Sequence, residues 1–299
     1  MNMLEIKGLY KRFGEKEVLS GINLSVPEHS IFGFIGKNGA GKTTAMTISL
    51  GLLSADGGEV LINGERVTFG QNKTNSFVGY LPDVPEFYPY MTAEEYLRFC
   101  GEISEMPKSE IKERVNELLI LVGLENEKGR IKGYSRGMKQ RLGIAQALLN
   151  RPKLLICDEP TSALDPVGRK EILDTLLKIK EQTTVIFSTH ILSDVERICT
   201  DVALLDNGEI RLFGKLSDIK NKYRGDEYCV TPENAGDMRI LLERFGTMRP
   251  IGNGRLIFKE REESVFDVLR FVADKQIPIL SIERRELTLE SLFMEVTRK

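Results

Sequence analysis

The chain has 299 residues, 41% hydrophobic and 29% charged, the make-up of a globular protein with one large or two ordinary domains. Its 42 basic and 44 acidic residues leave a net charge of −2, without the basic excess of a dedicated nucleic-acid binder, so no nucleic-acid partner is expected. The four cysteines lie far apart with no Cys-x-x-Cys pair, and no apolar run approaches the roughly 18 residues of a membrane span, so zinc sites, disulfide frameworks and bilayer-crossing helices are not expected. Residues Met1 to Gly8 lack the apolar stretch of a signal peptide, and reduced thiols in a cytosolic setting are the expectation.

Residues 1 to about 80 alternate short apolar stretches with glycine turns. Leu4–Ile6, Val18–Val26, Ile31–Ile35, Val60–Ile62 and Val78–Leu81 read as strands, and Asn63-Gly64 is a hairpin turn signal. Directly after the third stretch comes Gly36-Lys37-Asn38-Gly39-Ala40-Gly41-Lys42-Thr43-Thr44, a complete G-x-x-x-x-G-K-T phosphate-binding loop. Its glycines let successive backbone N–H groups turn inward onto an anion. Lys42 supplies a charge for the β- and γ-phosphates and the Thr43 hydroxyl a ligand for Mg2+. Met46, Leu50 and Leu53 have helical spacing, so a helix opening at Thr44 aims its positive end at the phosphates.

Residues 92 to 150 read as helices. Thr92-x-x-Glu95 is a capping box, Ser109 can cap a helix carrying Ile111, Val115, Leu118 and Val122, and Gly123 sits where that helix would end. Strands return with Leu154–Cys157, Thr184–Phe187 and Val202–Leu205, the first two separated by a helix with Ile172, Leu173, Leu176 and Ile179 on one face. Strands alternating with helices imply a mostly parallel, covered sheet, with the helical stretch of about 86–150 as an insertion. From residue 215 the order is strand 227–231, helix 233–245, strands 247–251 and 255–259, helix 263–275 and strand 278–284, followed by a last helix from Thr288. That β-α-β-β-α-β order is ferredoxin-like. The expected division is therefore 1–214 and 215–299.

The strand Leu154–Cys157 ends in Asp158-Glu159-Pro160. Two acids at a buried strand tip need a cation or hydrogen-bond partners. Beside a phosphate loop, Asp158 suits Mg2+ and Glu159 is placed to orient or deprotonate an attacking water.

Tyr134-Ser135-Arg136-Gly137-Met138-Lys139-Gln140-Arg141 resembles the signature motif of the ATP-binding cassette (ABC) ATPases, with Ser135 23 positions before Asp158. Ser162-Ala163-Leu164-Asp165 resembles that family's D-loop, and Ser188-Thr189-His190 its switch histidine. Five motifs in order over about 180 residues carry the resemblance, which covers residues 1 to about 214. It implies an α/β P-loop NTPase core with a mostly parallel sheet, an antiparallel β edge and an inserted helical subdomain. It implies hydrolysis of ATP with Mg2+ by a homodimer. There Ser135 and Gly137 meet the ATP of the opposite subunit, Asp165 lies at the dimer seam and His190 contacts the γ-phosphate. Phe13 matches the aromatic that stacks on adenine, with Tyr10 the rival.

Two motifs depart from the family's commonest pattern. Where it usually has Gln, this chain has Asp83, shorter and acidic, able to reach Mg2+ through water. The signature reads Tyr134-Ser135-Arg136-Gly137-Met138 where the commonest form is Leu-Ser-Gly-Gly-Gln, so Ser135 and Gly137 are kept and Arg136 adds a positive charge where glycine is usual. The Ser-x-Gly-Met-Lys-Gln-Arg form is similar to that of ATPase subunits of bacterial drug and peptide-antibiotic exporters, and the ending Leu289–Val296 resembles their C-terminal module. The resemblance thus points to a cytoplasmic subunit, peripheral on the inner face of the cell membrane, that powers a separate transmembrane permease. Asp83 to Tyr90 would receive the permease's coupling helix. The alternative is a soluble mechanical ATPase acting on ribosomes or DNA. Such relatives carry two cassettes or a long coiled coil, whereas in this chain Lys42 and Ser135 are 93 positions apart with no heptad run. The tail itself suits a dimer contact better than a ligand sensor, since it has no cluster of Cys, His or Gly.

Overall fold

The computed structural model describes residues 1–70, 73–223, 226–285 and 288–297. β1 (Asn2–Phe13) and β2 (Lys16–Pro27) form a long antiparallel hairpin that buries Leu4, Ile6 and Leu9 against Leu19, Ile22 and Leu24. Both strands outrun the apolar stretches that announce them, because backbone pairing continues through polar residues as far as Phe13 opposite Lys16. β3 (Ile31–Ile35) is buried throughout and leads through the phosphate loop into α1 (Lys42–Ser49). The helix stops at Ser49 rather than reaching Leu53: the Gly51 N–H turns back to the Ile48 carbonyl with Gly51 at φ 71°, a left-handed stop that glycine favours.

β4 (Gly57–Ile62) and β5 (Glu65–Arg66) are joined by Asn63 and Gly64 at φ 51° and 78°, the doubly left-handed turn of a tight hairpin. β6 (Val78–Leu81) precedes three helices, α2 (Ala93–Ile103), α3 (Lys108–Leu121) and α4 (Arg136–Ala147). The Thr92/Glu95 capping box is formed at α2. Ser109 does not cap α3: the helix begins at Lys108 with Pro107 at the cap position, so Ser109 lies inside the first turn. β7 (Leu154–Asp158), α5 (Pro166–Ile179), β8 (Thr184–Thr189), α6 (Leu192–Ile198), β9 (Asp201–Asp206), β10 (Glu209–Lys215) and α7 (Leu216–Lys222) follow.

The strands build two sheets. One is four-stranded in the order β2-β1-β4-β5. The other is six-stranded in the order β10-β9-β3-β8-β7-β6, parallel throughout except for the β10 edge. β3, β8, β7 and β6 therefore run side by side, and their carboxyl ends lead into the phosphate loop, His190, Asp158-Glu159 and Asp83. This is the edge where open parallel sheets bind ligands. α4 lies directly on β6. A Cβ added at Gly79 would sit 2.1 Å from the Ala147 carbonyl oxygen, and one at Gly143 would sit 2.5 Å from Leu81.

The remaining strands and helices are β11 (Glu227–Pro232), α8 (Ala235–Arg244), β12 (Arg249–Pro250), β13 (Leu256–Lys259), α9 (Val265–Asp274), β14 (Ile279–Arg284) and α10 (Leu289–Thr297). Their sheet is antiparallel in the order β12-β13-β11-β14, the ferredoxin-like arrangement, over a core that includes Val230, Leu241, Phe245, Phe258 and Val268. The chain divides into two compact units, Met1–Asp218 together with the stretch from Phe293 onward, and Ile219–Leu292. Among the described residues no helix is long and apolar enough to cross a membrane.

Candidate functional site

The phosphate loop owes its shape to its glycines. Gly39 and Gly41 lie at φ 81° and 110°, where a side chain is strained. Gly36 has no room for one, since a Cβ there would come within 2.5 Å of the Leu205 carbonyl oxygen. α1 has Gly41 at its cap position, with no side chain capping its first N–H groups, so they remain available at the loop.

Lys42 is buried. Its Nζ donates to the Gly36 carbonyl at 2.7 Å and the Lys37 carbonyl at 3.3 Å, and lies 3.3 Å from Glu159 Oε1. That Oε1 is itself buried and accepts no hydrogen bond, so the Lys42 ammonium is its compensation. Glu159 Oε2 lies 3.0 Å from His190 Nδ1, and half of the histidine side chain faces solvent. Thr43 Oγ1 donates to Asp158 Oδ2 at 2.8 Å. Ser188, fully buried on β8, donates to Asp158 Oδ1 at 2.5 Å and accepts the Glu159 N–H at 3.0 Å. Glu159 sits at φ 48°, a left-handed conformation costly for a residue with a side chain. It is held there by Ser188, whose backbone carbonyl also accepts the Glu159 N–H at 3.2 Å. Motif reading named Ser188 only as part of Ser-Thr-His. Its role is readable only once β7 and β8 are neighbours.

The cleft holds about 430 Å³ and brings Asn38, Gly39, Gly41, Lys42, Thr43 and Thr44 together with Asp83, Asp158, Glu159 and His190. Lys16, Val18 and Ser162, none of them given a site role from the sequence, also line it. Beneath it, burial first and the Asp158 carboxylate second push the Tyr80 phenol up to about 12. Burial likewise pushes up the Cys157 thiol.

The other expected residues lie outside this lining. Phe13 is half-exposed, with the Lys11 ammonium 5.4 Å from its ring centre. Lys11 pairs with Asp56, whose carboxyl is held below its usual range by the Arg12 N–H and by Lys11. Tyr10 packs against Gly21, where a Cβ would meet its hydroxyl at 2.6 Å. Ser135 caps α4 by accepting the Met138 N–H at 3.2 Å, with Gly137 in the first turn. Asp165 caps α5 by accepting the Gly168 N–H at 3.0 Å. Both caps mark helix starts whose N–H ends suit anions or polar partners. Asp83, within the lining itself, lies 3.3 Å from Arg136.

Comparison with known proteins gives a consistent family. Residues 19–162 match the ABC transporter family model, and residues 214–297 match the C-terminal domain of DrrA1-3-like ATP-binding proteins. The chain is 36% identical over 304 residues to the uncharacterized ABC transporter ATP-binding protein YxlF of Bacillus subtilis, covering 98% of this chain and 99% of that one. It is 33% identical to the bacitracin transport ATP-binding protein BcrA of Enterococcus faecalis, covering 98% and 96%. A solved structure of an ATP-binding subunit of an ABC transporter superposes with a TM-score of 0.65 at 32% identity, covering 74% of this chain and 93% of that one.

Proposed function

Because the chain belongs to the ATP-binding subunits of ABC transporters, hydrolysing ATP to power transport alongside separate permease components, we propose that it works as a Mg2+-dependent homodimer driving an exporter. The observation that carries this reading is the convergence of Lys42, Thr43, Asp158, Glu159 and His190 in one cleft, each hydrogen-bonded or ion-paired to another of the set.

Lys42 is the binding cation for the β- and γ-phosphates. When they draw its ammonium, Glu159 loses its neutralising partner and is free to act on water as a general base. His190 orients Glu159 from its other oxygen. The donors suit Mg2+: Thr43 and Asp158 supply a hydroxyl and a carboxylate already in contact, and Asp83 lines the same cleft. The ion supplies charge neutralisation at the phosphates. Phe13 offers a half-exposed ring face to adenine. Ser135 and Gly137, at a helix N-terminus outside the chain's own cleft, serve the ATP of a second copy, and Asp165 lies at the seam between copies.

The kinship with a bacitracin transport protein and the DrrA-like tail support export of a drug or peptide antibiotic and a location on the cytoplasmic face of the membrane. The groove beginning at Asp83 is the docking surface for the permease, and the C-terminal module adds contact between copies. Two experiments test the reading. Affinity purification of the tagged chain from solubilised membranes of its host should recover a multi-span partner. Recovery only with ribosomal or DNA-repair proteins would overturn the transporter role. Removing residues 216–299 should raise the protein concentration needed for ATPase activity, and an unchanged concentration dependence would sink the role of the tail.

A further inference from the structure

Two of the positions at which this chain departs from its family's commonest pattern, Asp83 and Arg136, touch each other. Asp83 Oδ1 and Arg136 Nη2 are 3.3 Å apart, although 53 positions separate the residues in sequence. Asp83 lines both the ATP cleft and the neighbouring groove of about 460 Å³, and Arg136 lines the groove. Asp83's backbone is held in place: its carbonyl accepts a 2.6 Å hydrogen bond from Gln140 Nε2, and Gln140 is fully buried one turn along α4 from Arg136. α4 is fixed in turn by the close approaches at Gly79 and Gly143. Beyond that backbone anchor the Asp83 side chain stands between the cleft and Arg136. Both side chains are nearly half-exposed, so their pairing is weak enough to be exchanged for a better partner.

We propose that Asp83 and Arg136 form a latch at the head of α4, which MgATP opens, its cation drawing the Asp83 carboxylate to the cleft and freeing Arg136 to bind the γ-phosphate of the nucleotide held by a second copy. The inference rests on the homodimer reading. Arg136 suits the task, since its guanidinium can grip a phosphate through two parallel N–H donors. It sits one residue beyond the Ser135 cap, at the positive end of α4. Asp83 is then a positioning residue, acting through Arg136.

The test is a double-mutant cycle in the full chain carrying Glu159→Gln, so that ATP is bound and not consumed. Dimerisation with MgATP is followed against protein concentration by sedimentation for the parent, Asp83→Asn, Arg136→Gln and the double variant. Arg136→Gln should raise the concentration for half-dimerisation by roughly tenfold or more, while affinity of the monomer for a fluorescent ATP analogue stays within about twofold. Arg136→Lys should recover part of the loss. Any effect of Asp83→Asn on the cation is common to both backgrounds. Opening of the latch is not, so the substitution should favour dimerisation roughly two- to fivefold more with Arg136 present than without it. Effects that simply multiply, or an Arg136→Gln chain that dimerises like the parent, overturn the latch. A parent that never dimerises with ATP overturns the homodimer reading itself, a different result.

Discussion

Replacing Ser188 with Ala tests whether the two acids after β7 are held by the strand beside them. The hydroxyl makes two contacts that alanine cannot: a 2.5 Å bond to Asp158 Oδ1 and a 3.0 Å bond from the Glu159 N–H. Ser188 and Asp158 are both buried, so water does not replace the lost donor. A hydrogen bond to a buried charge contributes about 1.5–3 kcal/mol and a neutral one about 1, so the change should cost about 2–4 kcal/mol. For a unit of this size each kcal/mol shifts Tm by about 2–4 °C, so the nucleotide-free transition should fall by about 5–15 °C in scanning calorimetry. Saturating MgATP should narrow that gap, because a cation beside Asp158 compensates the carboxylate that Ser188 otherwise satisfies. Turnover should fall more than affinity, since Glu159 loses one of the two acceptors that hold its left-handed backbone. A Tm within about 1 °C of the parent would mean that Asp158 finds another donor at no cost, and Ser188 would then not be what holds the acids.

Glu159→Gln keeps the size and the His190 contact but removes the base, so ATP binding should persist while turnover falls by roughly 100-fold or more; turnover at the parent rate, measured by phosphate release, would mean that Glu159 is not the base. Lys42→Ala should weaken binding of MgATP by roughly tenfold or more in calorimetric titration, because the phosphates lose their buried cation. In native protein at pH 8 only Cys100 should react with a thiol reagent, since Cys157, Cys199 and Cys229 are buried and all four labelling together would contradict that packing. Burial also raises the Cys157 and Cys199 thiols above their ordinary 9.0. Their contribution is intact below that pH and is lost as pH rises through the raised values, because the unfolded chain releases protons first. Urea unfolding of Cys157→Ala should therefore decline less steeply with pH above about 9 than the parent.

The fold was legible wherever one local signal decided the matter. The phosphate loop follows from its glycines and lysine, the β4–β5 hairpin from Asn63-Gly64, and the ferredoxin-like unit from its element order. Local signals failed at element ends. α1 stops at Ser49 although Leu50 and Leu53 continue the apolar spacing, because both still pack on the core from the turn that Gly51 makes. β1 and β2 run past their apolar stretches because cross-strand hydrogen bonds do not depend on side-chain polarity. α3 starts a residue before Ser109 because a proline with fixed φ prepares a helix start without a capping hydroxyl.

The site was legible as a set of residue types and illegible as a network. Lys42, Thr43, Asp158, Glu159 and His190 each announce a chemistry in sequence, but their mutual contacts depend on β3, β8 and β7 standing side by side, which no spacing along the chain records. Ser188 shows the difference most clearly. A serine before Thr-His looks like strand filler until β7 lies beside β8, whereupon one hydroxyl serves both acids. Asp83 and Arg136 extend the same argument. Each looks like an isolated departure when a motif is read alone, and neither motif contains the other. A substitution at one of two touching positions changes what is tolerable at the other, so the unit on which a motif's residues act is the contact rather than the string. For Asp83 that contact joins the end of β6 to the first turn of α4, which places a charge pair between the cleft at the phosphate loop and the groove beside it.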